Sequence, residues 1–169
     1  MQHERVEPRF LGPTAAAPYR FAIVASRFHE SAVARLLDAA VDCLKRHGAA
    51  GERVRIVRVP GSWEIPVVVR RLANARSADA IVGLGVLIRG ETAHFDLIAR
   101  QVSRGMAVAS EATGIPVIFG VVAADSAEQV QDRSGGRLGN RGWDAAVAAI
   151  ETAAAIRGIG GPGAGGSGS

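Results

Sequence analysis

The sequence has little cysteine, few aromatic residues and no long apolar run, and each shortage excludes a class of protein. Its 169 residues include one cysteine, Cys43, so no intrachain disulfide can form, which is typical of the reducing cytoplasm. No stretch reaches the roughly 18 apolar residues of a membrane span. Residues 1–10 are polar and lack the apolar segment of a signal peptide. We therefore expect a cytoplasmic protein with no membrane partner.

Features of nucleic-acid and metal binding are also sparse. Aromatic residues make up 5% of the chain, and the net charge of +4 comes from lysines and arginines that are scattered. Such a composition offers no stacking platform and no basic patch, so we expect no nucleic-acid partner. The cysteine and the four histidines do not have the spacing of a zinc site, and we expect no metal.

The chain does contain a regular alternation of apolar strands and helical patterns. Predicted strands cover residues 21–26, 54–59, 80–88 and 116–122, with helical segments after each of them. This order favours an α/β fold, namely a three-layer αβα sandwich with a four-stranded parallel sheet, flavodoxin-like in its layering. We expect residues 1–18 to form an N-terminal arm with little core of its own. Residues 19–157 would form a single domain, and residues 158–169 a flexible Gly/Ser-rich tail.

Some local features also yield predictions. Cys43 is expected to lie off the apolar stripe of the first helix. The segment Asp125-Ser126-Ala127-Glu128 favours a capping box at the start of a short helix. The glycines that follow predict a flexible joint before a last helix over residues 140–156; they are Gly135, Gly136 and Gly139.

Unusual residues follow three of the predicted strands. Because the carboxyl ends of parallel strands meet at one edge of a sheet, we expect these residues to lie together. The glycine turn after the third strand offers backbone N–H groups to an anion. The set is typical of a pocket for a flat polar ring and a phosphate. Its members are Phe28, Ser62, Trp63, Glu64, Glu91, Thr92 and His94, and the fourth strand adds Phe119 near its centre.

Each candidate also has a structural interpretation, and the residues alone leave both open. His94 could cap or satisfy a helix start instead of moving protons. Phe28 and Trp63 could fill the core, the commoner fate of aromatic residues. Glu64 could merely stabilise the start of its helix. Arg133 could be a solvated side chain or a phosphate clamp.

Three long segments of the chain, taken in order, carry a family resemblance. The segments are Val59-Pro60-Gly61-Ser62-Trp63-Glu64-Ile65-Pro66, Gly85-Val86-Leu87-Ile88-Arg89-Gly90-Glu91-Thr92-Ala93-His94-Phe95-Asp96, and Pro116-Val117-Ile118-Phe119-Gly120-Val121. They resemble the 6,7-dimethyl-8-ribityllumazine synthase family of the riboflavin pathway, and the resemblance runs from about residue 20 to residue 156.

The resemblance implies a reaction and a role for each matching residue. 5-Amino-6-(D-ribitylamino)uracil would condense with 3,4-dihydroxy-2-butanone 4-phosphate, a transferase reaction with no redox cofactor and no metal. His94 matches the proton-transfer histidine. The phosphate would be bound by Glu91, Thr92 and Arg133. The other substrate contacts would be Phe28, Ser62, Trp63, Glu64, Val86, Leu87, Ile88 and Phe119.

The resemblance also implies an assembly. In the family the site is shared between neighbours of a homopentamer, with Phe119 and Arg133 supplied by the adjacent subunit. Some members build twelve pentamers into an icosahedral capsid, and riboflavin synthase is a further expected partner. The chain departs from the usual family pattern at His29, where the family has asparagine, and at Arg137 and Arg141, where it has lysines.

Two other functions fit the same resemblance. An archaeal-type riboflavin synthase is similar to this family and would act on the lumazine itself, although the phosphate turn and Arg133 favour the first activity. The other alternative is a mainly structural, shell-forming homologue, in which His94, Trp63 and Glu64 would be expendable.

Overall fold

The computed structural model describes residues 15–159, and their strands and helices alternate as predicted. The strands are β1 (Phe21–Ser26), β2 (Val54–Val59), β3 (Ala80–Ile88), β4 (Val117–Ala124), β5 (Ser134–Gly136) and β6 (Gly139–Asn140). The helices are α1 (Glu30–Arg46), α2 (Ile65–Asn74), α3 (His94–Thr113), α4 (Ala127–Arg133) and α5 (Arg141–Ile159). Short 3₁₀ turns cover Gly51–Arg53 and Ser62–Glu64.

The first four strands form one parallel sheet in the order β2-β1-β3-β4. Alternate residues of β1 point to opposite faces: Phe21 and Ile23 pack under α1 and α5, whereas Ala22 and Val24 pack under α2 and α3. Both faces of β1 and of most of β3 are therefore buried, which explains why these two strands are continuous apolar runs. The edge strand β2 includes Arg55 and Arg58 and is largely exposed. The predicted three-layer αβα fold is confirmed.

The chain leaves β1 for β2 on one side and later returns to β3 on the other. The strand order thus reverses between β1 and β3, which makes this point the topological switch of the sheet. The connections that follow β1 and β3 diverge there, and ligands of open α/β sheets bind in the crevice that this divergence creates.

Three local predictions were wrong. Cys43 is fully buried in the core because the apolar stripe of α1 is wide enough to include it, and burial raises the pKa of its thiol to about 11. The cap of α4 is Ser126, whose hydroxyl accepts from Gln129 N at 3.3 Å, so Glu128 is not the partner.

The predicted flexible joint is instead an ordered antiparallel ribbon of β5 and β6. Its glycines take fixed positive φ angles, 108° at Gly135 and 80° at Gly139, which side chains rarely adopt. Arg35 on α1 holds the ribbon by donating to the backbone oxygen and the hydroxyl of Ser134, each at 3.2 Å.

The structure describes only part of the expected N-terminal arm and none of the expected tail beyond residue 159. Ala16, within the expected arm, is fully buried, and its N–H donates to His47 O at 2.8 Å. This end of the arm therefore packs on the core. At the other end, α5 continues to Ile159, past the expected end of the last helix. Residues 1–14 and 160–169 of the expected arm and tail lie outside the described part.

Candidate active site

A cleft of about 640 Å³ lies beyond the carboxyl ends of β1, β2 and β3, at the switch point of the sheet. Nine of the twelve residues predicted for the site line it, so the segments at the carboxyl ends of these three strands do come together. These nine are Phe28, Ser62, Trp63, Glu64, Val86, Leu87, Ile88, Thr92 and His94.

Phe28 is held at the cleft by backbone hydrogen bonding. Its N–H donates to Pro60 O at 3.0 Å, which ties the end of β1 to the turn after β2. The ring lies on Gly61, where an added Cβ would come within 2.8 Å of the Phe28 ring. The side chain is 68% exposed, so Phe28 is not a core residue. Because Gly61 has no side chain, it leaves room for the Phe28 ring, which forms an aromatic wall of the cleft.

The turn Ser62–Glu64 forms the next part of the cleft wall. Trp63 is 56% exposed and is also not a core residue. The Glu64 carboxylate accepts from Gly61 N at 2.9 Å, so it does stabilise this turn, and the side chain also lines the cleft. Ser62 is buried, and its hydroxyl donates to Val86 O at 3.5 Å. This contact joins the turn to β3.

His94 is the first residue of α3, and the residue that precedes the helix is Ala93. The helix cap is therefore not His94, whose side chain is exposed and lines the cleft. Its N–H donates to Thr92 Oγ1 at 3.4 Å. Gly90 in the preceding turn lacks a positive φ, and a Cβ there would meet open space. The fold itself therefore does not require glycine at this position.

Arg89 connects the segments around this turn. Its Nε donates to Asp125 Oδ1 at 2.9 Å and its Nη1 donates to Asp96 Oδ2 at 3.0 Å. The guanidinium also lies 4.3 Å from the centroid of the Phe95 ring. The hydrogen bonds to Asp96 and Asp125 raise the pKa of Arg89, and the hydrogen bond from Arg89 lowers the pKa of Asp96.

Three predicted residues do not line this cleft. Glu91 lies in the turn but is exposed. Phe119 pairs with Gly83, three residues before Val86 along the sheet, so it lies about 10 Å from the level of the cleft at the usual strand rise. Arg133 ends α4, is exposed, and donates to Gln129 O at 3.3 Å. Phe119 and Arg133 therefore lie away from the cleft of their own chain, and their supply by an adjacent subunit, which the family resemblance implies, stays a prediction.

The cleft also contains Gly90, which belongs to the glycine turn predicted to bind an anion. Five further lining residues were not predicted to contact a substrate; they are His29, Gly61, Phe95, Leu97 and Ile98. Leu97 is 64% exposed and lies beside the buried stripe of α3, which includes Val102 and Met106. A large apolar residue off the stripe of an amphipathic helix was the available signal. His29 takes the left-handed conformation, with φ of 58°.

Within residues 15–159, no three His, Cys, Asp or Glu side chains come together as metal ligands. None of the helices in the same residues is long and apolar enough to cross a membrane.

A half-open cleft at a switch point, with aromatic walls, an open glycine turn and an imidazole, defines an α/β protein with a small-molecule site. Comparison with known sequences identifies it further. Residues 18–157 match the family model for 6,7-dimethyl-8-ribityllumazine synthase. The chain therefore belongs to the 6,7-dimethyl-8-ribityllumazine synthase family.

Curated relatives agree with the family match. The protein named 6,7-dimethyl-8-ribityllumazine synthase in Aquifex aeolicus is 51% identical over 142 residues, 84% of this chain and 92% of that protein. The protein of the same name in Clostridium kluyveri is 47% identical over 146 residues, which are 86% of this chain and 95% of that protein. The protein of this name in Chloroherpeton thalassium is 46% identical over 140 residues, which are 83% of this chain and 90% of that protein.

Proposed function

We propose that the cleft catalyses the condensation of 5-amino-6-(D-ribitylamino)uracil with 3,4-dihydroxy-2-butanone 4-phosphate to 6,7-dimethyl-8-ribityllumazine. The observation that carries the proposal is that His94, the open turn at Gly90 and the two aromatic side chains line one cleft. The family membership supplies the substrates. The cleft volume falls within the range of about 300–1,000 Å³ that is usual for small-molecule sites.

Proton transfer is the main chemical requirement of this reaction. The pyrimidine amine forms an imine with the ketone and water leaves; phosphate then leaves by elimination, and ring closure releases a second water. His94 is exposed at the cleft and can carry protons through these steps, an effect typically worth about 100- to 10,000-fold in rate. Holding the two substrates together can contribute a further ~7–11 kcal/mol to lowering the barrier.

The pyrimidine would lie between the aromatic walls. Phe28 and Trp63 present their exposed rings to the cleft, and Val86, Leu87 and Ile88 form the apolar strand edge beside them. Ser62 and Glu64 supply polar contacts for the pyrimidine and its ribityl chain. Aromatic and apolar walls with few polar groups are typical of sites that bind a flat ring.

The phosphate of the ketone would lie at the turn before α3. Backbone N–H groups at a helix start attract an anion, and the open space above Gly90 leaves room for it. Thr92 and Glu91 belong to this turn. The guanidinium of Arg133 from one subunit would complete the phosphate site of the neighbouring subunit.

Two surfaces of the chain support a site shared between subunits. The first carries large exposed apolar side chains beside the cleft, Trp63, Val67 and Leu97, and continues into a groove between α2 and α3. The second would include Phe119 on the edge strand β4 and Arg133 at the end of α4, the helix that follows β4. Because the two surfaces differ, each copy would place its second surface on the first surface of the next. Such head-to-tail contacts form a ring when the rotation between neighbouring copies closes.

The proposed ring is a homopentamer, as the family resemblance implies. The same contacts would also be present within each ring of an assembly of several pentamers. Light scattering should then give about 88 kDa, five times the chain mass of 17.5 kDa, or a multiple of it. A monomer at working concentration would contradict the shared site. Riboflavin synthase as a partner stays a prediction, as does the cytoplasmic location.

An assay with both substrates tests the proposed activity. The purified protein should form lumazine and release one phosphate for each lumazine, which absorbance and a phosphate assay measure separately. No product at saturating substrate would refute the proposal and favour a structural homologue. Riboflavin formed from lumazine alone would favour riboflavin synthase activity instead.

A further inference from the structure

Arg89 connects three elements around the cleft, namely β3, β4 and α3. It follows β3, and its own N–H donates to Ala124 O at 2.9 Å, at the end of β4. Its guanidinium bridges Asp125, just after β4, and Asp96, in the first turn of α3. It also covers the ring of Phe95 at 4.3 Å.

This arrangement makes Arg89 a poor ligand for the substrate phosphate. An arginine next to an anion-binding turn would ordinarily be expected to bind the anion. Two carboxylates already compensate the charge of Arg89 and use two of its N–H donors. The planar guanidinium has a fixed fork geometry, so bridging both carboxylates and stacking on Phe95 fixes its orientation.

The segment that Arg89 encloses is the one that the reaction needs. Residues 90–94 contain the open glycine turn, Thr92 and His94, and the bridge joins Arg89, just before this segment, to Asp96, two residues after it. Asp125 anchors the bridge on the neighbouring strand end. Without it, the turn would be joined to β3 through the backbone at Arg89, and the start of α3 would keep its packing through Ile98 on the core.

We propose that Arg89 is a positioning residue that holds residues 90–94 in the shape required for phosphate binding and for proton transfer by His94. The inference rests on the proposed function and deepens it. Arg89 acts through the turn and through α3, and touches no substrate. A misplacement of about 1 Å can reduce the rate by as much as ~100-fold, so loss of the bridge should be measurable.

Steady-state kinetics of Arg89→Met and Arg89→Lys test the proposal. We expect kcat to fall by about tenfold and KM for the ketone phosphate to rise by about fivefold, with KM for the pyrimidine unchanged within ~twofold. Arg89→Lys should resemble Arg89→Met, since an ammonium group cannot reproduce the planar fork. A Lys variant with wild-type kinetics would overturn positioning, because it would show that charge alone suffices.

Arg20→Met is the matched control. Arg20 pairs with Asp79 at 3.1 Å at the opposite, amino end of the sheet, and its side chain is exposed to a similar degree, 48% against 44% for Arg89. Loss of this pair should leave both KM values and kcat unchanged. If Arg20→Met and Arg89→Met change the kinetics equally, the effect is a general loss of stability and the proposal is wrong.

Hydrogen exchange of the same proteins separates this proposal from the proposed function. Peptides that cover residues 89–97 should exchange faster in Arg89→Met, while other core peptides and Arg20→Met keep the wild-type rate. Unchanged exchange in this segment would overturn positioning even if the enzyme is active. A wild-type protein that forms no lumazine would refute the function, and the exchange rates would still decide the role of Arg89.

Discussion

Gly142 is the position where the packing of the fold is most sensitive to a single methyl group. It lies in the first turn of α5, is buried, and donates its N–H to Asn140 Oδ1 at 2.8 Å. A Cβ at this position would overlap the backbone carbonyl of Leu36 on α1. Because the obstacle is backbone and not a flexible side chain, the substitution Gly142→Ala must push α1 and α5 apart.

The expected loss of stability follows from two opposed effects. Overpacking a well-packed core typically costs about 1–3 kcal/mol, and backbone overlap favours the upper end of that range. Alanine gains about 1 kcal/mol over glycine within a helix. The net destabilisation of Gly142→Ala should therefore be about 2 kcal/mol, which lowers Tm by roughly 4–8 °C in a chain of this size.

Thermal and denaturant unfolding at one fixed protein concentration measure this loss. Gly158→Ala is the control, because Gly158 lies near the end of the same helix and a Cβ there has no neighbour within 4 Å. It should leave stability unchanged or raise it by at most about 1 kcal/mol. Equal Tm values for the two variants would refute the packing argument.

The remaining predictions concern the cleft and one ion pair. His94→Ala should lower kcat by at least about 100-fold and change both KM values less; an unchanged kcat would remove His94 from the mechanism. Gly90→Ala should keep Tm but raise KM for the ketone phosphate, since a Cβ enters open space at the turn; an unchanged KM would place the phosphate elsewhere. Burial alone would raise the pKa of Asp79, but hydrogen bonds from Arg20 outweigh it and hold the pKa below its usual value. Asp79→Asn should therefore lower the free energy of unfolding by at most about 1 kcal/mol at neutral pH. Denaturant titrations should show this difference vanish as the pH falls through the lowered pKa, and a constant difference would contradict the assignment.

The sheet could be predicted because its two central strands, β1 and β3, are buried and are uninterrupted apolar runs. The bounds of β1, β2 and β3 agree with the patterns, although the edge strand β2 includes Arg55 and Arg58. The switch point then follows from the order of elements. Nine predicted residues lie together at the cleft for the same reason, since each follows or ends a strand of one parallel sheet.

Other features depend on contacts that no local pattern contains. Glycines before α5 suggested flexibility, yet Gly135 and Gly139 hold fixed positive φ angles in a ribbon docked on α1. The bridge made by Arg89 reaches Asp125 across 36 residues. Each of these becomes visible only when distant segments are placed side by side. Leu97 differs from them, because a large apolar residue beside the buried stripe of α3 was a signal that the sequence contained.

Complementation between two inactive variants tests most directly whether the catalytic unit spans two subunits. His94→Ala keeps Arg133, and Arg133→Ala keeps His94, so mixed rings should combine an intact cleft with an intact Arg133 at some boundaries. With random mixing in equal amounts, about a quarter of the boundaries would be complete. Lumazine formation should therefore recover to about that fraction of the wild-type rate. Mixed oligomers no more active than the variants alone would contradict a site shared between subunits.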